Sequence, residues 1–545
     1  MKKTLLLIWR CDRRRFLLKL LYTAVASLLP LANLYVLKML VDTVMQCVGD
    51  GFGVLGESLI FYILLFCGIT LLVRLTGVLN TVNSDVLTQK LVDYINGLIQ
   101  DQSIALDMSY YDNPEYHDTF HRAQQEAAYR PIRIMESMMA VFGSVLSLAG
   151  IVVMLLSVSW EIIVVMIVAI LPTFVVRLYK SRRIYRFRRE TTQLQRRSNY
   201  FGSLLTNRVY AKEVRAYGLA GFFRKSYMNI RRTMVNKLMK ISRRMAFLDA
   251  TTAIVEACAL AAVMFLLIRP VAEGILTIGT FVMLFEAFRR GQGYLGSLVG
   301  GVSGVYEHKL FIYNLFEFLE LKPLIKSPEE PVVFPEIIEE VSFNDITFSY
   351  PDMKQPVLSH YSLKAARGEI TYIEGENGFG KTTLLKLLLR LYDPQQGSVC
   401  INGIDIRRFD VAELRHGISA IFQDYVNYCF TVRDTVALGD IGRDVDECRI
   451  AEAIRMADDE RVVQRLGKGL DTMLGRQFEG GEDLSMGQWQ RIALARQLYS
   501  NAQVLLFDEP MAWMDAEACK QFMHTLEELR QNHVVILVRH IEHAV

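Results

Sequence analysis

A glycine-rich segment at residues 375–382 carries the clearest chemical pattern in the sequence, G-x-x-x-x-G-K-[ST]. It follows an apolar run and precedes an amphipathic stretch, which predicts a strand, a loop and a helix. In such a loop, glycines let backbone N–H groups surround phosphate oxygens, and the helix N-terminus attracts negative charge. Lys381 would reach the β- and γ-phosphates, and the Thr382 hydroxyl would bind Mg²⁺. The predicted phosphate-binding residues are Gly375, Glu376, Asn377, Gly378, Phe379, Gly380, Lys381, Thr382 and Thr383.

A second candidate site follows the apolar run at residues 504–507, which ends in Asp508 and Glu509. A continuous apolar run is typical of a buried parallel strand, and ligands bind at the carboxyl ends of such strands. We expect Asp508 to hold Mg²⁺ through its water shell and Glu509 to polarise the attacking water. Phosphoryl transfer depends mainly on positioning and charge neutralisation, which these carboxylates supply. Two adjacent acids also occur at ordinary turns, so this pair indicates a site only in combination with the glycine-rich segment.

A third pattern, Leu-Ser-Met-Gly-Gln at residues 484–488, precedes a helical run. Ser485 is a favourable N-cap, so free N–H groups at this helix N-terminus would face an anion. The predicted nucleotide contacts here are Ser485, Gly487 and Gln488. This stretch cannot easily reach the phosphates of its own domain.

The elements that must position these residues fall into two halves. The chain of 545 residues is 52% hydrophobic, with a mean hydropathy of +0.22, yet 22% of its residues are charged. The apolar excess is concentrated in the first half, in stretches of about the 20 residues that cross a hydrocarbon core. The six predicted spans are residues 16–44, 55–82, 132–159, 162–179, 245–268 and 275–302.

The connections between the spans predict their orientation. Two are long, residues 83–130 and 180–244, and the second is rich in lysine and arginine, whereas the other connections are short and nearly free of both. The positive-inside rule therefore predicts that the N-terminus and both long loops are cytoplasmic, in a multi-pass protein of the cell membrane. Apolar spans on both sides of 180–244 argue against nucleic-acid binding by this basic segment.

Several charged residues fall inside the predicted spans. Charges at membrane depth are costly, and they tend to face a cavity or to pair with one another. We expect Glu256 and Glu286 to face a cavity; Arg177, Arg289 and Arg290 could equally be solvated at the membrane interface. The candidates for a translocation path are Lys38, Arg74, Arg177, Glu256, Glu286, Arg289 and Arg290.

The composition changes after Leu321. Four prolines within residues 323–335 indicate a linker, and alternating strand and helix patterns then predict an α/β domain with a mostly parallel sheet. The predicted domains are a membrane domain at 1–321, a linker at 322–340 and a nucleotide-binding domain at 341–545. Eight scattered cysteines without a C-x-x-C pair favour neither a disulfide framework nor a zinc site.

Taken in order, these motifs resemble those of the ATP-binding cassette (ABC) transporters, and the resemblance covers essentially the whole chain. It implies that Tyr350 stacks on adenine, that Gln423 contacts Mg²⁺ near the membrane domain, and that His540 senses the γ-phosphate. It also implies that Asp515 is the aspartate of the loop that follows Glu509. By resemblance, the tips near residues 113–114 and at Glu213 correspond to coupling helices.

The resemblance implies an exporter-type half-transporter: an α-helical polytopic membrane domain of six transmembrane helices followed by an α/β phosphate-loop domain. Its ligands would be ATP and Mg²⁺, bound between this chain and a second half-transporter in membrane lipid. The expected function is ATP-driven export of a peptide, a lipid or a drug-like molecule. The alternative is a membrane sensor or regulatory ATPase of the same family that transports nothing.

Four features depart from the family pattern. Met486 replaces the first glycine of the usual signature, Phe379 occupies a position where a small residue is usual, and residues 512–515 read Ala-Trp-Met-Asp. The sequence stops at Val545, five residues after His540, which predicts a nucleotide-binding domain that is short at its C-terminus. The imperfect signature favours a heterodimer over a homodimer.

Overall fold

The structure is a computed structural model that describes residues 2–50, 52–113, 130–156, 160–351, 353, 355–376, 378–511, 514 and 516–539. Two compact units divide the chain. The first contains Met1–Ser103 and Thr119–Glu320, and the second contains Ile104–Asp118 and Leu321–Val545. The short segment 104–118 therefore belongs with the C-terminal half, although it lies far away in sequence.

Helices form the first unit. Six of them are long, and each predicted span overlaps one of these six. The helices of the N-terminal half are α1 (Lys2–Cys11), α2 (Arg13–Asp50), α3 (Phe52–Ala105), α4 (Met108–Asp112), α5 (Arg130–Leu156), α6 (Trp160–Thr206), α7 (Arg208–Ala216), α8 (Ala220–Ala272) and α9 (Ile278–Leu319).

Four helices in the described part of the chain are long and apolar enough to cross a membrane: Arg13–Val48, Gly56–Ala105, Pro131–Leu156 and Ala220–Ala272. The long helices α3, α6, α8 and α9 also run well beyond their predicted spans, because the polar loop sequences keep a helical pattern. Polar segments next to these spans are thus helical in the structure.

The core of the first unit forms where α2, α5, α8 and α9 meet. Leu34, Ile151, Leu284 and Phe288 are fully buried there. Helix α9 approaches α5 closely at Gly301, where a Cβ atom would lie 2.8 Å from the carbonyl oxygen of a residue in α5. A side chain at this position would push the two helices apart.

The described part of the second unit contains eight strands, and half of them differ from the prediction. We expected a mostly parallel sheet, but β2-β1-β4-β5 forms a separate antiparallel sheet. A tight hairpin joins one of its pairs, β4 and β5: Asn402 and Gly403 both have positive φ, as a two-residue type I′ turn requires. The antiparallel strands are β1 (Glu340–Phe348), β2 (Leu358–Ala366), β4 (Gln396–Ile401) and β5 (Ile404–Asp405).

The other four strands form a parallel sheet in the order β3-β8-β7-β6. Alternate residues of β7 face two hydrophobic clusters, Val504 and Leu506 on one side and Leu505 and Phe507 on the other. Burial on both faces explains why the sequence of this strand is continuously apolar. The strands are β3 (Ile370–Glu374), β6 (Ile418–Ile421), β7 (Val504–Asp508) and β8 (Val534–Arg539).

Seven α-helices surround these sheets in the described part of the second unit, besides α4. Helix α15 lies at the centre of the helical side and contacts α12 and α13. The helices are α10 (Lys381–Leu388), α11 (Val411–His416), α12 (Val432–Ala437), α13 (Glu447–Met456), α14 (Glu460–Arg465), α15 (Met486–Tyr499) and α16 (Ala516–Leu529).

The predicted linker contains no helix or strand before Glu340, but it packs against the second unit. The Ser327 hydroxyl donates to the Asp410 carboxylate at 2.7 Å, and the Phe334 ring contacts the Phe409 ring edge-on at 5.2 Å. These contacts fix the segment on the surface of the nucleotide-binding half, so it is not a free tether.

Asp459 is an unusual buried charge in the second unit. It is fully buried, and neither carboxylate oxygen has a hydrogen-bond partner among the described residues. Burial raises the pKa of Asp459 to about 8, and the Asp458 carboxylate adds to the rise while Arg491 opposes it. The carboxyl group precedes α14 without capping it, so it gives no helix stabilisation in return.

We predict that Asp459→Ala stabilises the second unit by about 2 kcal/mol at pH 8, because it removes a buried and unpaired carboxylate. With a folded pKa of about 8 against 3.8 unfolded, the folded state holds the extra proton between these values. Stability of the wild type therefore falls as the pH rises through this window. Thermal unfolding should show a larger gain for the variant at pH 8 than at pH 5.

The exposed Asp444 provides a matched control for this measurement, since its removal takes away a solvated carboxylate. Asp444→Ala should leave the unfolding midpoint unchanged at both pH values. The prediction would be contradicted if the difference in unfolding midpoint between Asp459→Ala and the wild type were the same at pH 5 and pH 8.

Candidate functional site

Strand register brings the predicted site together. In the parallel sheet, Ile373 of β3 pairs with Val538 of β8, which pairs in turn with Asp508 of β7. The glycine-rich loop after β3 and the carboxylates at the end of β7 therefore leave the sheet at the same edge. This is the edge at which parallel α/β sheets bind ligands.

The loop between β3 and α10 depends on left-handed glycines. Gly378 and Gly380 have φ values of 87° and 85°. A Cβ atom on Gly380 would also lie 2.9 Å from the Leu358 side chain. The Lys381 ammonium group is buried and donates to the carbonyl oxygen of Gly375 at 2.6 Å, so it lies inside the loop that it would serve.

Phe379 occupies this loop without blocking it. Its ring packs against Gly375, where a Cβ atom would lie 3.3 Å from the ring, and 54% of the residue is exposed. Glu376 is exposed in the same turn. The bulky side chain that departs from the family pattern is thus largely exposed, whereas Lys381 is buried.

Thr382 and Asp508 meet at the predicted metal position. The Thr382 hydroxyl donates to Asp508 Oδ2 at 2.7 Å. Burial raises the pKa of Asp508 above its usual range, although the Thr382 hydrogen bond and the Lys381 charge lower it. A buried carboxylate with a raised pKa is one that gains from a neighbouring cation.

Glu509 and Gln423 form the second contact at this edge. Gln423 follows β6, which pairs with β7, and its Nε2 donates to Glu509 Oε2 at 2.9 Å. Glu509 has a φ of 52°, a left-handed conformation that costs a residue with a side chain about 1–3 kcal/mol. This backbone turn directs the glutamate toward Gln423 instead of continuing the strand.

Tyr350 lies beside α10. Its hydroxyl is 3.1 Å from the Thr383 hydroxyl, and the Lys386 ammonium lies 5.5 Å from its ring centroid. The Tyr392 ring contacts Tyr350 edge-on at 5.3 Å, and the Tyr392 hydroxyl donates to the Asp112 carboxylate of α4. Burial and that neighbouring carboxylate raise the pKa of Tyr392 well above its usual range.

The signature segment forms a capped helix N-terminus. Ser485 Oγ accepts from the Gln488 N–H at 3.3 Å, and Gln488 Oε1 accepts from the Ser485 N–H at 2.8 Å, a reciprocal capping box. Gly487 follows in the first turn of α15. Met486, the residue that departs from the family pattern, is 53% exposed at this N-terminus.

Two residues that no motif singled out hold the signature helix in place. The Tyr425 hydroxyl donates to the carbonyl oxygen of Met486 at 2.8 Å, and the buried Gln490 donates through Nε2 to the carbonyl oxygen of Pro510. A glutamine within a mostly apolar helical run was the available signal for Gln490. No sequence pattern distinguishes Tyr425 from other loop tyrosines.

Three predicted site residues lie outside the residues that the structure describes: Asn377, Asp515 and His540. Among the described ones, the structure brings the phosphate loop, Asp508, Glu509 and Gln423 to one edge of the sheet. Tyr350 lies next to this group through Thr383. Ser485, Gly487 and Gln488 form the separate helix N-terminus of α15.

Comparisons with known proteins agree with this architecture. A family model described as the ABC transporter transmembrane region matches residues 16–290, and one described as ABC transporter matches residues 358–512. A solved structure of a bacterial Atm1-family ABC exporter with ATP bound has a TM-score of 0.76, at 22% identity, over 97% of this chain and 91% of its own.

Curated relatives match over nearly the whole chain. Subtilin transport ATP-binding protein SpaT of Bacillus subtilis is 26% identical over 99% of this chain and 87% of its own length. Nisin transport ATP-binding protein NisT of Lactococcus lactis subsp. lactis is 25% identical over 98% and 88%. The ATP-dependent lipid A-core flippase of Vibrio cholerae serotype O1 is 28% identical over 72% and 66%.

Fold and site together define a membrane protein with an ATP-binding phosphate-loop domain that follows a helical transmembrane domain. The chain belongs to the ABC transporter family, in which it is an exporter-type half-transporter. It couples ATP hydrolysis to export, and half-transporters of this kind act as dimers. The predicted fold class, family and ATP-driven activity are confirmed.

We predict that Gly380→Ala weakens ATP binding at least tenfold. The new side chain must occupy a left-handed conformation, at a cost of about 1–3 kcal/mol, and it meets Leu358 as well. The loop must then move from the geometry that surrounds the phosphates. Titration with a fluorescent ATP analogue measures the change.

Gly368→Ala is the matched control, because Gly368 has a φ of 90° but open space around its Cβ position, in a turn outside the loop. It should destabilise the fold by a similar backbone cost while ATP affinity stays unchanged. Equal ATP affinities for both variants would contradict a specific role of the Gly380 geometry.

Proposed function

We propose that residues 375–383, Asp508, Glu509 and Gln423 form one half of an ATP hydrolysis site. The observation that supports this most directly is the convergence of two contacts at one sheet edge, Thr382 with Asp508 and Gln423 with Glu509. One contact supplies oxygen ligands beside the phosphate loop. The other holds a carboxylate next to them.

Mg²⁺ fits the residues at this edge. A hydroxyl, a carboxylate and a side-chain amide oxygen are the hard ligands that Mg²⁺ prefers, and Thr382, Asp508 and Gln423 supply them. The ion would neutralise phosphate charge when it is bound. In the described residues, no three His, Cys, Asp or Glu side chains are grouped to hold a metal, so these ligands would share the ion with nucleotide phosphates.

Each residue of this half-site has a distinct task. Lys381 exchanges its hydrogen bond with the Gly375 carbonyl for one with the β- and γ-phosphates. Glu509 polarises the attacking water, and Gln423 orients Glu509 through the contact between their side chains. By resemblance, Tyr350 contacts the adenine and His540 the γ-phosphate, while Asp515 belongs to the loop that meets the partner.

We predict that Glu509→Gln lowers the ATPase rate at least 100-fold with ATP affinity within about twofold of the wild type. The amide keeps the size of the side chain and can still bond Gln423, but it cannot accept a proton from water. Phosphate release and ATP binding should be measured on the same preparation. Glu452→Gln, an exposed carboxylate on α13, should change neither value.

A parallel loss of ATP binding and hydrolysis in Glu509→Gln would contradict this assignment. It would mean that Glu509 holds the loop structure instead of activating water. Retained hydrolysis would move the task of polarising water to another residue.

We further propose that this site is completed by the signature of a second half-transporter, and that a heterodimer is favoured. Met486 is exposed at the N-terminus of α15, where a bound γ-phosphate of the partner would approach the free N–H groups. A methionine there adds bulk that a glycine does not. The signature of this chain would therefore serve the weaker of the two sites.

We predict that Met486→Gly raises the ATPase rate of the chain purified alone by severalfold. The change removes side-chain bulk at the phosphate approach and leaves the capping box of Ser485 and Gln488 in place. The ATPase rate as a function of ATP concentration measures it. Vigorous, cooperative hydrolysis by the unaltered chain as a homodimer would contradict the heterodimer.

The remaining proposals concern location and substrate. The excess of lysine and arginine in residues 180–244 supports a cytoplasmic position for these loops, the N-terminus and the nucleotide-binding half. The test uses a variant in which the exposed Cys448 is the only cysteine left. An impermeant maleimide should label it in inverted vesicles but not in intact cells. The relatives support a peptide or a lipid as substrate, by their names.

A further inference from the structure

The first unit contains an open cavity of about 1050 Å³ between α2, α3 and α9. Two kinds of side chain line it. Val73, Val78 and Val82 give it an apolar wall along α3, whereas Arg74 and two arginines of α9 give it a basic region. We name this space the arginine cavity. Its residues all belong to one compact unit, within predicted membrane spans.

Among the described residues, the arginines of the arginine cavity outnumber the carboxylates that pair with them. Glu286 pairs with Arg289 at 2.9 Å and lies 3.6 Å from Arg290, which also donates to the carbonyl oxygen of Pro30. Arg74 has no hydrogen bond or ion pair with any residue that the structure describes. Among the described residues, one carboxylate thus pairs with two of the three guanidinium groups, and the third has no counter-charge.

This imbalance is costly at membrane depth. Charged groups in hydrocarbon are retained where they face water, a counter-ion or a ligand, and none of the described residues that line the cavity is a carboxylate. Guanidinium groups match phosphate and carboxylate geometry through paired N–H donors. A ligand that carries an anion would therefore supply the missing counter-charge.

Other polar atoms of the cavity indicate room for more than a bare anion. Asn33 donates to the Thr70 hydroxyl at 3.3 Å, but its buried Oδ1 has no hydrogen-bond partner among the described residues. This atom could accept from a hydroxyl or amine of a head group. The adjoining valines offer an apolar surface to a hydrocarbon chain.

A second polar space adjoins the first. A cavity of about 430 Å³ shares Gly293 and Ser297 with the arginine cavity and is lined by Glu256 and Gln292. Glu256 accepts from the Thr173 hydroxyl at 2.8 Å, and the buried Nε2 of Gln292 has no partner in the described part of the chain. The two adjoining cavities thus offer polar side chains along α9 to more of a ligand than a single ionic group.

We propose that the arginine cavity binds an amphiphile with an anionic head group, a phosphate or a carboxylate. The guanidinium groups of Arg74, Arg289 and Arg290 bind the head group, and the valine wall of α3 contacts the hydrocarbon chain. The proposal deepens the export function by naming the substrate class of the membrane half. The proposal rests on the export function for the claim that the ligand is transported, whereas binding of the ligand does not depend on that function.

The test measures binding without ATP, so its failure is distinct from a failure of hydrolysis. The full chain, purified in the uncharged detergent dodecyl maltoside, is titrated with dodecyl phosphate, and bound molecules are counted by native mass spectrometry. Dodecyltrimethylammonium has the same chain with the opposite charge, and inorganic phosphate has the anion alone. A short peptide of glutamates represents an acidic peptide.

We expect dodecyl phosphate to bind at least tenfold more tightly than the other three probes. Arg74→Gln should weaken this binding about tenfold, because a hydrogen bond to a charged group is lost, and Arg74→Lys should retain most of it. Arg269→Gln is the control: this exposed arginine pairs with Glu273 at the end of α8, outside the cavity. It should bind dodecyl phosphate as the wild type does.

Several results would overturn the proposal. Equal or tighter binding of the ammonium amphiphile would exclude anion recognition. Equal binding of inorganic phosphate would assign the cavity to a free anion, and tighter binding of the glutamate peptide would assign it to peptides. If Arg74→Gln does not fold, Arg290→Gln replaces it with the same expected loss, and unchanged binding in the folded variant would exclude the cavity as the site.

Discussion

The register of three parallel strands is the constraint on which the catalytic half depends. Because β8 pairs with both β3 and β7, the loop after β3 and the carboxylates after β7 must leave the sheet side by side. The hydrogen bond between Thr382 and Asp508 is the direct result. A shift of one residue in either pairing would turn Asp508 to the other face of the sheet and separate it from the phosphate loop.

Several residues around this edge adopt conformations or positions that are unfavourable for the stability of the fold. Gly378 and Gly380 hold the loop in a left-handed conformation, and Glu509 adopts one despite its side chain. Asp508 is buried with a raised pKa. These costs share a physical cause, since each places a polar group where a phosphate or a cation can replace a lost contact with water.

The two halves of the protein use charge in a similar way. In the second unit, the buried Asp508 carboxylate and the buried Lys381 lie at a predicted nucleotide site. In the first unit, Arg74, Arg289 and Arg290 line a cavity within predicted spans, and Glu286 is the one described carboxylate that pairs with any of them. In both places the charges of the described side chains do not cancel, and we expect a ligand to supply the missing counter-charge. Asp459 differs, because its buried carboxylate belongs to none of the site residues described above and its removal is expected only to stabilise the fold.

The sequence alone determined the family, the motifs and the two-part architecture, because spacing in the glycine-rich loop and the length of apolar stretches are local properties. Tertiary structure decided what local patterns cannot encode: the antiparallel sheet, the attachment of 104–118 to the second unit and the partners of Tyr350 and Tyr425. It also placed Arg74 of α3 and Arg289 and Arg290 of α9 around one cavity. Such pairings join residues far apart in the chain, so only the packing of whole helices and strands fixes them.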